Sequence, residues 1–167
     1  MINDTGRVQK ITVDGTDFCF AANGTQWYSH KFCSSAVRYE VGIAIQTGYI
    51  VWISDGYPAG QYPDISIFCL GLKQKLLNAG ERAEADKGYR GEPLTIELPN
   101  DGLAEEYVKK KILRQRHETC NRRFKNWACL DSRFRHGFEY HNQVFKAIAV
   151  LTQLDIEMGN ELFQVEF

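Results

Sequence analysis

No two of the five cysteines, Cys19, Cys33, Cys69, Cys120 and Cys129, stand at C-x-x-C spacing, and their number is odd. That argues against a disulfide framework and for a reducing compartment. His30 and Cys33 form the one pair at zinc-ligand spacing, and no second pair completes a tetrahedral set. No apolar run reaches the length of a membrane span; the longest, from Phe145 to Leu151, is interrupted by Lys146. The polar stretch from Met1 to Gln9 has no signal-peptide core, and a soluble, intracellular protein is expected. Charge of one sign is also not in excess: 20 Lys and Arg against 21 Asp and Glu leave a net charge of −1, so any site for a polyanion must be local. Repeats and low-complexity segments are absent. The sequons at Asn3 and Asn23 read as chance matches in an intracellular chain.

What remains is an ordinary globular composition, 44% hydrophobic and 25% charged, long enough for one domain with a real core. Val8 to Val13 alternates weakly and runs into Asp14-Gly15-Thr16, which reads as a strand ending in a turn. Asp17, at odd spacing from Asp14, is expected at a turn or rim and on the opposite face. Val37 to Ile45 alternates clearly, Thr47-Gly48 turns it, and Tyr49 to Ser54 returns as a hairpin partner. After a Gly- and Pro-containing loop, Asp64 is placed as the N-cap of a helix that carries Ile65, Phe68, Cys69, Leu72 and Leu76 and ends at Asn78-Ala79-Gly80. Glu81 to Asp86 and Leu94 to Leu98 read as further strands, the second stopped by Pro99. A long helix runs from about Gly102 to Trp127, with Ile112, Leu113, Cys120, Phe124 and Trp127 on its apolar side and Glu118 on the other. A basic-aromatic link, Asp131 to His141, leads to a last helix over 142–158 that Gly159 stops.

This order, three antiparallel strands followed by helical crossovers to further strands, predicts an α/β domain with a mixed five-stranded sheet and flanking helices. It matches the ribonuclease-H-like arrangement, in which the ends of the first and fourth strands lie side by side. Asp14 and Asp86 would then meet, and Glu118 on the long helix is the third acid within reach. Two carboxylates about 5 Å apart at an effective dielectric near 20 repel by roughly 3 kcal/mol. Divalent cations remove that penalty, and an all-oxygen ligand set selects Mg²⁺ or Mn²⁺. Two such ions activate a water or a 3′-hydroxyl and stabilise the leaving oxygen of a phosphodiester. Between Lys109 and Lys125 lie eight Lys and Arg residues with Glu118 as the one acid, a basic stripe suited to a phosphate backbone. Taken singly, Asp14 is a common turn aspartate, and Glu118, with Arg114 and Arg122 four residues to either side, is a ready surface ion-pair residue.

Four segments, in order, resemble the DDE transposase endonuclease domain of the Harbinger-like group, which includes the Harbinger transposase-derived nucleases. They are Val13-Asp14-Gly15-Thr16; Gly56-Tyr57-Pro58-Ala59-Gly60 with Pro63-Asp64; Ala85-Asp86-Lys87-Gly88-Tyr89; and Glu118 ahead of Arg122-Arg123-Phe124-Lys125. The resemblance covers Val13 to about Phe134. It implies a single endonuclease core over residues 1–167 that cleaves or transfers DNA strands with Asp14, Asp86 and Glu118 as catalytic residues and ligands of two Mg²⁺ or Mn²⁺ ions. Lys111, Arg114, Arg122 and Lys125 would bind DNA, in the nucleus if the host is a eukaryote. Asp64 falls on the family's aspartate after the Gly/Pro loop and is not counted as a ligand.

Two departures qualify what the resemblance implies. The first predicted strand starts at Val8 with no helix-turn-helix ahead of it, so a separate DNA-binding partner protein is expected. Asp17 stands where many relatives have a histidine. The same residues also suit a domesticated, catalytically inactive module that binds DNA or protein, and, third, a ribonuclease H-type enzyme acting on RNA.

Overall fold

Val37, Tyr39, Val41 and Ile43 stand at every second position, and a strand with that pattern presents one continuous apolar face. In the computed structural model, which describes residues 8–98 and 104–164, all four are fully buried at the centre of the molecule. They belong to β3 (Ser34–Ala44), which pairs antiparallel with β1 (Val8–Cys19) along nine residue pairs from Ile11↔Ala44 to Cys19↔Ala36. On the other side of β1, β6 (Glu81–Glu84) runs parallel, and β7 (Ile96–Glu97) runs parallel to β6. The outer edge of β3 is covered in succession by β2 (Tyr28–Ser29), β5 (Tyr57–Pro58) and β4 (Ile50–Ile53), all antiparallel.

Among the described residues the fold is thus mixed α/β, an open mixed sheet of seven strands with five helices. The predicted five strands are all present, and the two additional strands, β2 and β5, are two-residue pairings along β3. The alternation of β1 and β6 divides the helices between two faces. Ile11, Val13, Ala83 and Ala85 pack against Phe68 of α1 (Asp64–Leu70) and Leu72 and Leu76 of α2 (Leu72–Ala79). Phe18 and Phe20, with the apolar face of β3, pack against three helices: α3 (Ala104–Lys125), α4 (Ala128–Asp131) and α5 (Phe138–Glu157).

Several expectations are corrected. β1 does not end at Val13: Asp14, Gly15 and Thr16 continue the ladder, paired with Val41, Glu40 and Tyr39. The single helix after Asp64 is two, broken at Gly71, where a Cβ would lie 2.8 Å from the Trp52 ring. Pro63, not Asp64, is the N-cap residue of α1, and Asp64 is its first helical residue. Glu81 to Asp86 is strand only to Glu84, and Leu94 to Leu98 only at Ile96 and Glu97. Trp127 lies outside α3 and is 43% exposed, because the helix ends at Lys125 and the chain turns into α4. The expected link from Asp131 to His141 already contains the start of α5 at Phe138. The N-terminus to Arg7, with the Asn3 sequon, as well as Pro99 and Gly102, lie outside the described residues.

The basic stripe is not one solvated face. Lys110 is buried, with its Nζ 3.7 Å from Glu84 and 3.6 Å from Glu97, and it donates to the Leu98 carbonyl. Arg116, also buried, donates to the Ala44 carbonyl, and Arg123 donates to the Glu161 carbonyl. These three cations bind α3 to the rest of the fold. Among the described residues no helix is long and apolar enough to cross a membrane.

Candidate functional site

β1 and β6 run side by side with Thr12 opposite Glu84. Side chains alternate along a strand, so two residues further on Asp14 and Asp86 emerge on that same face. α3 crosses this end of the sheet. Between them lies a cavity of about 500 Å³ lined by Thr12, Asp14, Thr16, Glu84 and Asp86 from the strands and by Arg114, His117, Glu118, Asn121, Arg122 and Lys125 from the helix. Lys31, from the turn between β2 and β3, completes it.

All three predicted acids therefore line one cavity, together with three of the four predicted DNA-binding cations. Lys111 is exposed on α3 but is not part of the lining. Glu118, placed by sequence opposite the apolar stripe, sits at the boundary between stripe and solvent. Arg114, Glu118, Asn121, Arg122 and Lys125 recur at helical spacing and form the cavity face, while Leu113 and His117 beside them are buried. Among the described residues, no three His, Cys, Asp or Glu side chains are grouped closely enough to hold a metal ion. The His30–Cys33 pair forms no such group either; the Cys33 thiol points to the His30 carbonyl, 3.6 Å away.

Each acid is held differently. The Asp14 carboxylate accepts from the Gly15 N–H at 2.9 Å and from the Asn121 amide at 3.4 Å. Asp86 follows the end of β6, where its carboxylate accepts the Gly88 N–H at 2.7 Å and caps a single turn of 3₁₀ helix, Lys87–Tyr89. Asp64 approaches from the far side of the sheet. Its Oδ1 occupies the space that a side chain on Gly15 would fill, and a Cβ on Gly88 would lie 3.3 Å from its Oδ2. The two glycines thus leave room for the Asp64 carboxylate beside Asp14 and Asp86, without the three closing into one ligand group.

Behind Asp64, Arg38 makes a two-pronged ion pair with Asp17, at 2.7 and 2.9 Å, and reaches Asp64 at 3.4 Å. Asp17 is on the opposite face from Asp14, as alternation requires. It is no rim residue: it is buried and also accepts from the Ser29 hydroxyl at 2.7 Å. Asp64, Lys31, His117 and Asn121 were not anticipated as site residues. Asn121 was discoverable, three residues after Glu118 on the same helix face. Lys31 carries no such signal, because its place depends on how the β2–β3 turn folds.

Burial, and then repulsion by Asp64 and Asp86, pushes Asp14 up to about 7. Burial also pushes Glu40, on the α1 face, up to about 8 and holds His117 and His141 down to about 4. An acid whose folded pKa lies above its unfolded value favours the fold at low pH and loses that contribution as pH rises through the folded value. The metal-free protein should therefore lose stability through Asp14 between about pH 4 and 7. The histidines act in the opposite sense below pH 6.5, so the comparison that isolates Asp14 is wild type against Asp14→Asn in chelator. The melting advantage of the variant is expected to grow from near zero at about pH 3 to the equivalent of up to about 4 kcal/mol at pH 8. A pH-independent difference would refute the assignment.

Comparison of the chain with family models, with curated proteins and with solved structures finds no match. The function is therefore argued from the site.

Proposed function

We propose that the chain is the core of a divalent-metal-dependent DNA endonuclease or strand transferase, of the kind that the resemblance to DDE transposases implies. The observation that carries this reading is one cavity that combines Asp14, Asp86 and Glu118 with Arg114, Arg122 and Lys125. A strand order of β4-β3-β1-β6-β7, with the first three antiparallel and the last two parallel to β1, supports a ribonuclease-H-like fold. A nuclear site of action in a eukaryotic host and a separate DNA-binding partner belong to the same proposal.

The donor set suits Mg²⁺ or Mn²⁺ in kind: carboxylate oxygens from the sheet end and a helix, one of them held above its usual pKa by burial and then by neighbouring acids. Asp14 and Asp86 would hold the ions from the sheet and Glu118 from α3. The bound ions would supply an activated water or 3′-hydroxyl and charge stabilisation of the leaving oxygen. The chain's own part is positional. The Gly15 and Gly88 N–H groups and Asn121 orient the two sheet carboxylates, and Arg114, Arg122 and Lys125 draw a phosphodiester over them.

The test is nicking of supercoiled plasmid by the purified protein in Mg²⁺ or Mn²⁺. Nicking that EDTA abolishes is the expected result. One observation favours a second reading, a binding module that kept the fold: the three acids do not close into a ligand group. For that module, salt-sensitive DNA affinity unchanged by EDTA, with no nicking, is expected. Preferential cleavage of the RNA strand of a hybrid would point to the ribonuclease H-type reading.

A further inference from the structure

The cations of α3 form only one wall of the cavity. The lining also includes Lys31, from the tight turn from His30 to Cys33 that joins β2 to β3 and meets the end of α3 at Lys125. Lys31 is exposed, yet close enough to Asp14 and Asp64 to offset their repulsion. A lysine in a surface loop ordinarily spends its side-chain entropy freely and contributes little. This loop is pinned. Cys33 holds a φ of +49°, a left-handed conformation that costs a non-glycine residue about 1 kcal/mol or more and persists only where the surroundings impose it. Beside it, Phe32 meets the end of α3. Its half-buried ring lies 5.1 Å from the Lys125 ammonium, which the Phe18 ring flanks from β1 at 5.6 Å. The turn, β1 and the end of α3 are thereby joined through one cation and two aromatic faces.

Resting on the nuclease reading above, we infer that the His30–Cys33 turn is a second arm of a nucleic-acid clamp, with Lys31 contacting a backbone phosphate beside the one that Lys125 faces. A cavity of about 500 Å³ falls in the range that holds one drug-sized molecule. It therefore admits a phosphodiester with its flanking sugars, among cations from both the turn and α3. Phe32 is the positioning residue: it makes no contact with the strand and sets where Lys31 stands.

The test is the salt dependence of affinity for a short labelled DNA duplex, by fluorescence anisotropy in EDTA, so that neither metal binding nor cleavage enters. Each phosphate contact contributes about 0.9 to the slope of log K against log salt on duplex DNA. Lys31→Ala is expected to reduce the slope by about that much, Lys31→Arg to keep it, and Phe32→Ala to reproduce most of the Lys31→Ala loss while the melting curve stays cooperative. Lys75→Ala, on the α2 face away from the cavity, should change nothing. A wild-type slope in Lys31→Ala would overturn the clamp and leave the nuclease reading standing. A wild-type slope in Phe32→Ala beside a reduced one in Lys31→Ala would refute the tether. No measurable DNA affinity in the wild-type protein would overturn both readings.

Discussion

Asp86→Asn protein, incubated with supercoiled plasmid and Mn²⁺, is expected to nick at a rate on the order of 10³-fold below wild type. The substitution exchanges one carboxylate oxygen for an amide nitrogen and alters little else. Asn at position 86 still offers an oxygen to the Gly88 N–H, so the 3₁₀ turn and the end of β6 keep their cap. The side chain is exposed, so no cavity opens, and melting should move by the equivalent of no more than about 1 kcal/mol. Activity would then fall without loss of fold, which separates a ligand from a structural carboxylate. Asp64→Asn is the informative contrast. Asp64 lies against Gly15 and Gly88 but is shared with Arg38, so its loss should relieve repulsion at Asp14 and reduce nicking far less. Undiminished nicking by Asp86→Asn would remove the acid assignment altogether.

The legible parts of this chain are those where local pattern and tertiary environment coincide. Alternation from Val37 to Ile43 announced the central strand because one of its faces is wholly buried. Asp14 and Asp86 are legible as a pair because parallel neighbours bring equivalent positions together, though Asp14 lies within the ladder and not at a strand-ending turn. Asp-Gly is a turn signal, and here it is read through by the β-ladder, because Gly15 serves to admit the Asp64 carboxylate rather than to bend the chain. The helix after Pro63 looked continuous for a related reason. It breaks at Gly71, where Trp52, nineteen residues earlier, leaves no room for a side chain.

The charges were the hardest part to read. Eight cations between Lys109 and Lys125 look alike in sequence, yet Lys110, Arg116 and Arg123 are spent on carbonyls and carboxylates of neighbouring elements. Period alone separates a solvent face from a core face. It cannot separate a face that meets an apolar neighbour from one that meets a carbonyl edge. The same holds for Glu118. A helical wheel placed it opposite the core, and only the position of the sheet end makes that flank the wall of a cavity.

The second large effect is on stability, and it decides whether α3 can hold its acid over the sheet. Phe145→Ala is expected to cost about 3–5 kcal/mol and to lower the melting temperature by about 10 °C. Phe145 is fully buried where α3, α5 and the sheet meet: its ring stacks on Tyr39 at 3.8 Å and meets Phe18 and Phe124 at 5.4 Å each. Tyr39 in turn shares a 2.7 Å hydrogen bond with His141, one turn earlier on α5, so a shift of the tyrosine ring disturbs a second buried contact. Val150→Ser on the same helix, at a side chain 66% exposed, should stay within about 0.5 kcal/mol of wild type and serves as the control. A melting temperature unchanged by Phe145→Ala would show that α5 is not fastened to the sheet in this way. Phe124 lies one and a half turns beyond Glu118 on α3, and Lys125 beside it holds the clamp turn through Phe32 and Phe18. Loss of the aromatic junction should therefore loosen the helix that carries the third acid, and at temperatures below melting the variant should nick more slowly than its folded fraction accounts for.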